Sequence, residues 1–356
     1  MKITEFSFEA KKTVMNVEFR IALADGNCSL DDTVLIKLHT DAGLIGYGEA
    51  QPFRAVTGET IQSVKGFYEV LAPLLIGRSP FELETIHRLM NDVAFGNNAA
   101  KAGIDIALYD LCAKAVGLPL YRYLGGSEGT VYTDMTIGIN KPKKMAELAK
   151  AYVDDGFTML KVKVGLNDEE DIEAIRLIRE AVGPDIELRL DANQGWQVKQ
   201  TLAVLKAMEP YNIREIEQPV QYHDIAGLRA VRVATDIDVV ADESILLPAD
   251  ALRVLKEDAC DIVNIKLMKS GGIYQALKIN DIAEAAGIPC MVGCMGETAL
   301  GIAAGAALAA ARDNIAYADL DSHNLNDPLP GMQVMFEQKG SAIKLAEVAG
   351  LGVSFD

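Results

Sequence analysis

"MLKVKVG", residues 159–165, sets Lys161 and Lys163 two positions apart inside a run of Met, Leu and Val that otherwise has the make-up of a fully buried strand. Side chains alternate across a strand, so the two ammonium groups share one face. Buried charge is costly unless something engages it, and the surrounding pattern has to account for both lysines.

Outward from this stretch, short β-branched runs alternate with helical segments. "YTDMTIG" (132–138) precedes it; "IELRLDAN" (186–193), "NIREIEQP" (212–219), "IDVVADES" (237–244), "DIVNIKLM" (261–268), "PCMVGCMGE" (289–297) and "NIAYADLD" (314–321) follow. Amphipathic segments such as "MAELAKAYVDDG" and "DIEAIRLIREAVG" lie between them. Eight strands alternating with helices over about 190 residues predict an α/β fold, a modified TIM barrel of (β/α)7β type.

Residues 1–125 follow another pattern. "VLIKLHTDAGLIGYGEA" (34–50) predicts two strands joined at Asp41–Gly43, while "SVKGFYEVLAPLLIG" and "AAKAGIDIALYDLCAKAVG" predict helices. The expected organisation is an α+β capping domain over 1–125, a barrel over 126–322, and a tail, 323–356, that returns to the cap. The small, polar stretch "ALADGNCSLDD" (Ala22–Asp32) is of the kind that closes over a site as a lid.

The net charge of −17 argues against nucleic acid or an anionic membrane as partner. The apolar run Ala299–Ala311, 13 residues, is shorter than the roughly 20 that a membrane-spanning helix needs. A tightly packed small-residue helix is expected there instead. "MKITEFSFEAKK" lacks the apolar core of a signal peptide, and the five cysteines (Cys28, Cys112, Cys260, Cys290, Cys294) form no C-x-x-C pair. Reduced thiols in the cytoplasm are the expectation.

One polar residue per unit falls near each strand's C-terminal end. The spacings are 28 residues from Lys163 to Asp191, 26 to Glu217, 25 to Asp242, 24 to Lys266 and 53, about two units, to Asp319. That period places all of them at one mouth, the face where such barrels carry active sites. Asp191, Glu217 and Asp242, on three successive strands without His or Cys, make a hard oxygen site suited to Mg²⁺, with Mn²⁺ as a substitute. Capping of the following helix would explain each acid singly but not the same position in three units running.

Lys163 on the second strand and Lys266 on the sixth stand on opposite sides of an eight-stranded ring. A lysine base at neutral pH needs its pKa lowered by nearby positive charge or desolvation. Lys161 and the metal supply that charge, with Lys161 also placed to hold an anionic substrate group. A carboxylate substrate on the metal, one lysine removing its α-proton and the other returning a proton from the opposite face, amounts to a 1,1-proton transfer through an enediolate.

In "KVKVG", "RLDANQGW", "EIEQPV", "ADES" and "NIKLMKSGG", together with "DIALYDLCAKAVGLPLYRYLGG" before the barrel, the chain resembles the enolase superfamily, in its muconate lactonizing enzyme subgroup. The mandelate racemase branch is less similar, because a lysine stands where a His-Asp pair is expected. The resemblance implies Mg²⁺ on Asp191, Glu217 and Asp242 and acid/base lysines at Lys163 and Lys266. The pair Asp319 and Asp321 in "ADLDS", read as sharing one face of the eighth strand, would receive a cation. The resemblance implies that this is the α-ammonium of a dipeptide, as in dipeptide epimerases. It also implies substrate contacts at Thr136, Cys294, Met295 and Gly296. An N-acylamino acid racemase or o-succinylbenzoate synthase of the same subgroup, and more remotely a noncatalytic scaffold, are the alternatives.

Relatives acting on Ala-Glu carry an arginine in the lid, whereas this chain has Ala24 near that place and Arg20 too early. Hydrophobic or aromatic dipeptides, with cationic ones as the alternative, are therefore expected over acidic ones. A homo-oligomer is the expected assembly.

Overall fold

The structure is a computed structural model, and it describes residues 1–16, 18–23 and 32–355. Most of the expected lid, with Ala24 and Cys28, lies outside the described residues.

The chain opens with an antiparallel meander of β1 (Ile3–Lys12), β2 (Asp32–Thr40) and β3 (Ile45–Ala50). Its second turn closes at Gly43, whose φ of 76° favours glycine. Three helices follow: α1 (Ile61–Leu75), α2 (Leu83–Val93) and α3 (Asn98–Ala115). α3 is buried on every side from Asn98 to Ala113, as suits a helix enclosed within a core. Ala100, Ile104, Ala107 and Leu108 join the cap's core, while Ala99, Ala102, Ile106 and Ala113 join the barrel's. The close approach of α3 to β3 depends on glycine, since a Cβ on Gly48 would lie 1.9 Å from the Gly103 carbonyl oxygen.

β4 (Thr130–Tyr132) precedes eight parallel strands: β5 (Met135–Ile137), β6 (Met159–Lys163), β7 (Glu187–Asp191), β8 (Ile213–Glu217), β9 (Asp238–Ala241), β10 (Ile262–Lys266), β11 (Cys290–Gly293) and β12 (Ile315–Asp319). They pair in sequence order, with a helix between each pair of neighbours, and form a nearly closed (β/α)7β barrel. At the seam, Leu320 N donates to Thr133 Oγ1 at 2.7 Å and the Arg189 guanidinium links Asp134 to the Ala318 carbonyl. In β6, Leu160 and Val162 enter the apolar core while Lys161 and Lys163 reach acids of other strands inside the barrel. The opening stretch is thus buried on both faces, one apolar and one ionic.

The first barrel strand is shorter than "YTDMTIG" suggests. Tyr132 is 64% exposed and belongs to β4, which pairs with Ala342–Lys344 of the tail. The buried Thr133 and Asp134 separate the two strands. Among the described residues no helix is long and apolar enough to cross a membrane, and the Ala299–Ala309 helix is buried along its length, as its small residues predict. Cys112, Cys260, Cys290 and Cys294 are free and buried.

Buried cap carboxylates fasten the cap to the barrel mouth. Glu49 on β3 accepts from Thr298 N, Thr298 Oγ1 and Gly301 N at 2.8–2.9 Å, at the N-terminus of the Ala299–Ala309 helix. Asp105 of α3 accepts from Ile273 N at the start of the Ile273–Ala285 helix and bonds His87 Nε2 at 2.6 Å. Helix N-termini carry unpaired N–H groups and a positive dipole end. In a parallel barrel they lie at the C-terminal ends of the strands, so these acids seat the cap over that face.

Candidate active site

Parallel pairing aligns the charged residues at one level. Lys163 is paired with Asp191, Asp191 with Glu217, Lys266 with Gly293 and Gly293 with Asp319, while Asp242 follows the end of β9. A side chain at Gly293 would obstruct this level: its Cβ would come within 3.0 Å of Lys266 Cε and 2.8 Å of Asn264 Oδ1. The missing Cβ leaves room for the Lys266 side chain.

Asp191, Glu217 and Asp242 are buried and present oxygens within 4.8 Å of one another. Lys163 Nζ lies 2.5 Å from Asp191 Oδ2, and Lys266 Nζ lies 2.9 Å from Asp242 and 3.8 Å from Glu217. Lys161 bridges Asp191 at 3.1 Å, Glu217 at 2.8 Å and Asp319 at 2.7 Å. Burial raises Asp191, but Lys161, Lys163 and Lys266 outweigh it and hold the carboxyl at about 2. Burial, reinforced by Asp191 and Asp242, pushes Glu217 up to about 8. For Lys266, burial opposes the charge while Asp242 and Glu217 hold the ammonium well above its ordinary value.

The donor set fits a hard divalent cation. It is entirely oxygen, it converges, and its rim carries buried oxygens without hydrogen-bond partners: Asn193 Oδ1, Glu243 Oε2 and Asn264 Oδ1. Asn193 and Glu243 were not among the expected residues, although each lies within two positions of an expected ligand in "DAN" and "ADES". Lys269 was also missed, in the quoted "NIKLMKSGG", because nothing in its spacing directs it to the site.

A cavity lined by residues of both the barrel and the cap opens above this level. Lys163, Lys266, Asp242, Asp319, Asp321, Thr136, Cys294 and Met295 line it among the expected residues. Asp191, Glu217, Lys161 and Gly296 lie behind the lining. Lys161 is 2% exposed, pairs with three carboxylates and is absent from the cavity lining. Gly296 contributes its N–H to Glu297 and its carbonyl oxygen to Asn326.

Asp321 departs from the expected strand face. β12 ends at Asp319, and Asp321, with αR backbone angles, begins the short Ser322–Leu325 helix. Its carboxylate accepts from Thr136 N at 2.5 Å and from Cys294 Sγ at 3.7 Å. Burial and then Asp319 push it up to about 6, while burial on Asp319 is outweighed by Lys161, Lys266 and Lys163, which lower it. The pair still shares one wall of the cavity.

The opposite character comes from the cap. Phe19, Ile21, Leu23, Phe53 and Val56 face the cavity together with Met295 and Leu325. Phe53 sits in a tight turn whose carbonyl accepts from Val56 N, Thr57 N and Thr57 Oγ1. Arg20 is exposed and absent from the lining.

Comparison with known proteins places this geometry in a family. Residues 144–356 match the enolase C-terminal domain-like model, and residues 9–125 match the N-terminal domain of mandelate racemase / muconate lactonizing enzyme. The chain is 44% identical over 355 residues to a hydrophobic dipeptide epimerase from Enterococcus faecalis, covering 99% of this chain and 100% of that one. It is 42% identical over 330 residues to an L-Ala-D/L-Glu epimerase from Bacillus subtilis, covering 90% and 89%. A crystal structure of dipeptide epimerase from Enterococcus faecalis, complexed with Mg and the dipeptide L-Leu-L-Tyr, superposes with a TM-score of 0.96 at 44% identity, over 99% of this chain and 100% of that chain.

Proposed function

The chain belongs to the mandelate racemase / muconate lactonizing enzyme family of the enolase superfamily, and from that premise we propose that it is a Mg²⁺-dependent epimerase of hydrophobic dipeptides. The observation that carries the proposal is the cavity wall: lysines from β6 and β10, four strands apart in the ring, with the carboxylates between them and Asp319 and Asp321 beyond.

Asp191, Glu217 and Asp242 would hold the cation. Bound Mg²⁺ supplies positive charge that stabilises the negative charge developing on the substrate carboxylate as the α-proton leaves. Lys163 Nζ and Lys266 Nζ then exchange protons with the α-carbon from opposite faces, which inverts its configuration. Lys266 is held ionised by Asp242 and Glu217. Once those carboxylates are committed to a cation, the burial that already opposes its charge brings the amine toward a working base.

Asp319 and Asp321 would receive the dipeptide's α-ammonium, with Thr136 N holding the Asp321 carboxylate in place. An ammonium beside Asp321 favours its charged form. Lys161 keeps Asp191, Glu217 and Asp319 together. Phe19, Ile21, Phe53, Val56 and Met295 offer the side chains of the substrate an apolar wall, and among the described lining residues no arginine is present to pair with a substrate glutamate. A buried substrate carboxylate without a partner is strongly disfavoured.

The test is a mixed library of L,L-dipeptides incubated with the protein and Mg²⁺ in D₂O and read by mass spectrometry. Hydrophobic and aromatic dipeptides should gain one mass unit at an α-carbon, with Ala-Phe and Ile-Tyr well ahead of Ala-Glu. A faster Ala-Glu would overturn the side-chain preference. Labelling of an N-acylamino acid with no dipeptide labelled would replace the epimerase by a racemase.

A further inference from the structure

Lys269 is 0% exposed, lies one helical turn past Lys266, and is used by no step above. Its Nζ donates to Asp242 Oδ1, to the Asp242 carbonyl oxygen at 2.6 Å and to the Asn264 carbonyl oxygen at 3.0 Å. Three acceptors match the three protons of an ammonium, so the group is saturated and its direction is set. The carboxylate it grips is set with it: Oδ1 is taken by Lys269, and Oδ2 is left facing Lys266 at 2.9 Å. The short Leu267–Ser270 helix that carries Lys269 is itself tied to the cap. Asn98 Nδ2, at the start of α3, donates to the Lys269 carbonyl oxygen at 2.7 Å, and Gln51 N contacts Met268 Sδ at 3.4 Å.

We infer that Lys269 is a positioning residue for Asp242, anchored to the cap through Asn98, so that the affinity of the metal site depends on how the cap seats on the barrel. The inference rests on reading Asp191, Glu217 and Asp242 as cation ligands. Two roles for Lys269 predict opposite signs. A lysine that merely offset charge would repel a divalent cation, and its removal would tighten binding. A lysine that orients a ligand would weaken binding when removed, as loss of a group supporting a ligand typically does by about 10–100-fold.

The experiment is titration of the full chain with Mn²⁺, without substrate, followed by electron paramagnetic resonance. Lys269→Met should weaken binding by about tenfold or more. Asn98→Ala, which keeps every charge at the site, should shift it in the same direction by less. Tighter or unchanged binding in Lys269→Met, or unchanged binding in Asn98→Ala, overturns the inference. Circular dichroism and thermal melting check folding; should Lys269→Met not fold, Lys269→Gln, which also removes the charge, carries the same test with the same signs. A wild-type chain that binds no Mn²⁺ removes the underlying reading of the carboxylates, an outcome distinct from either variant result.

Discussion

Lys163 and Lys266 divide the proposed chemistry between two faces of one carbon, and each should be indispensable to inversion. Lys163→Met and Lys266→Met are expected to lower the rate of epimerisation by about 10²–10⁴-fold, the usual contribution of a positioned acid/base group. Proton NMR in D₂O would follow both epimers, and any residual exchange should be confined to the epimer whose α-proton faces the remaining lysine. Epimerisation at wild-type rates in both variants would rule out the two-base mechanism. The same scale shows why small residues belong here: Gly293 contributes no side chain to its level, and the Lys266 side chain uses that space.

At the scale of elements, the mouth is assembled by helix N-termini. Glu49 and Asp105 bind two of them from the cap, and Asp171 performs a related task within the barrel, in the first turn of the Asp168–Val182 helix. Its carboxylate accepts from Gly165 N at 2.8 Å, two residues past Lys163, so the helix restrains the end of β6. Burial, then Asp168 and Glu170, push its pKa up to about 7, against about 3.9 for an unfolded aspartate. The unfolded chain therefore ionises first, and between about pH 4 and pH 7 the folded state binds more protons. This residue's contribution to stability is present below about pH 4 and is lost as pH rises toward 7, the reverse of a salt-bridged carboxylate. Urea unfolding across this window should show a flatter pH slope in Asp171→Asn than in the wild type. An identical slope would mean that the carboxyl ionises normally.

For the whole molecule, a ligand that binds only the folded state adds to its stability. Mg²⁺ at about a hundred times its dissociation constant should raise the unfolding free energy by about 2.7 kcal/mol, and EDTA should reverse the shift; a melting temperature indifferent to both would argue against a resident cation. The sequence alone determined the barrel and its polar ring, because both follow from local periodicities. Alternation within "MLKVKVG" sends Lys161 and Lys163 inward, and one polar residue every 24–28 positions from Lys163 to Lys266 returns to the same level of each strand. Only the tertiary structure decided how these groups pair with one another. Lys161 donates to Asp319, 158 residues away; Lys269 is tied to Asn98 across 171 residues; and Asp321 turns out of its strand to meet the backbone of Thr136. The apolar wall likewise comes from cap residues such as Phe53, far from the barrel in sequence. Periodicity reports the face of an element, whereas contacts between distant segments depend on how closed elements pack, and no local pattern encodes that.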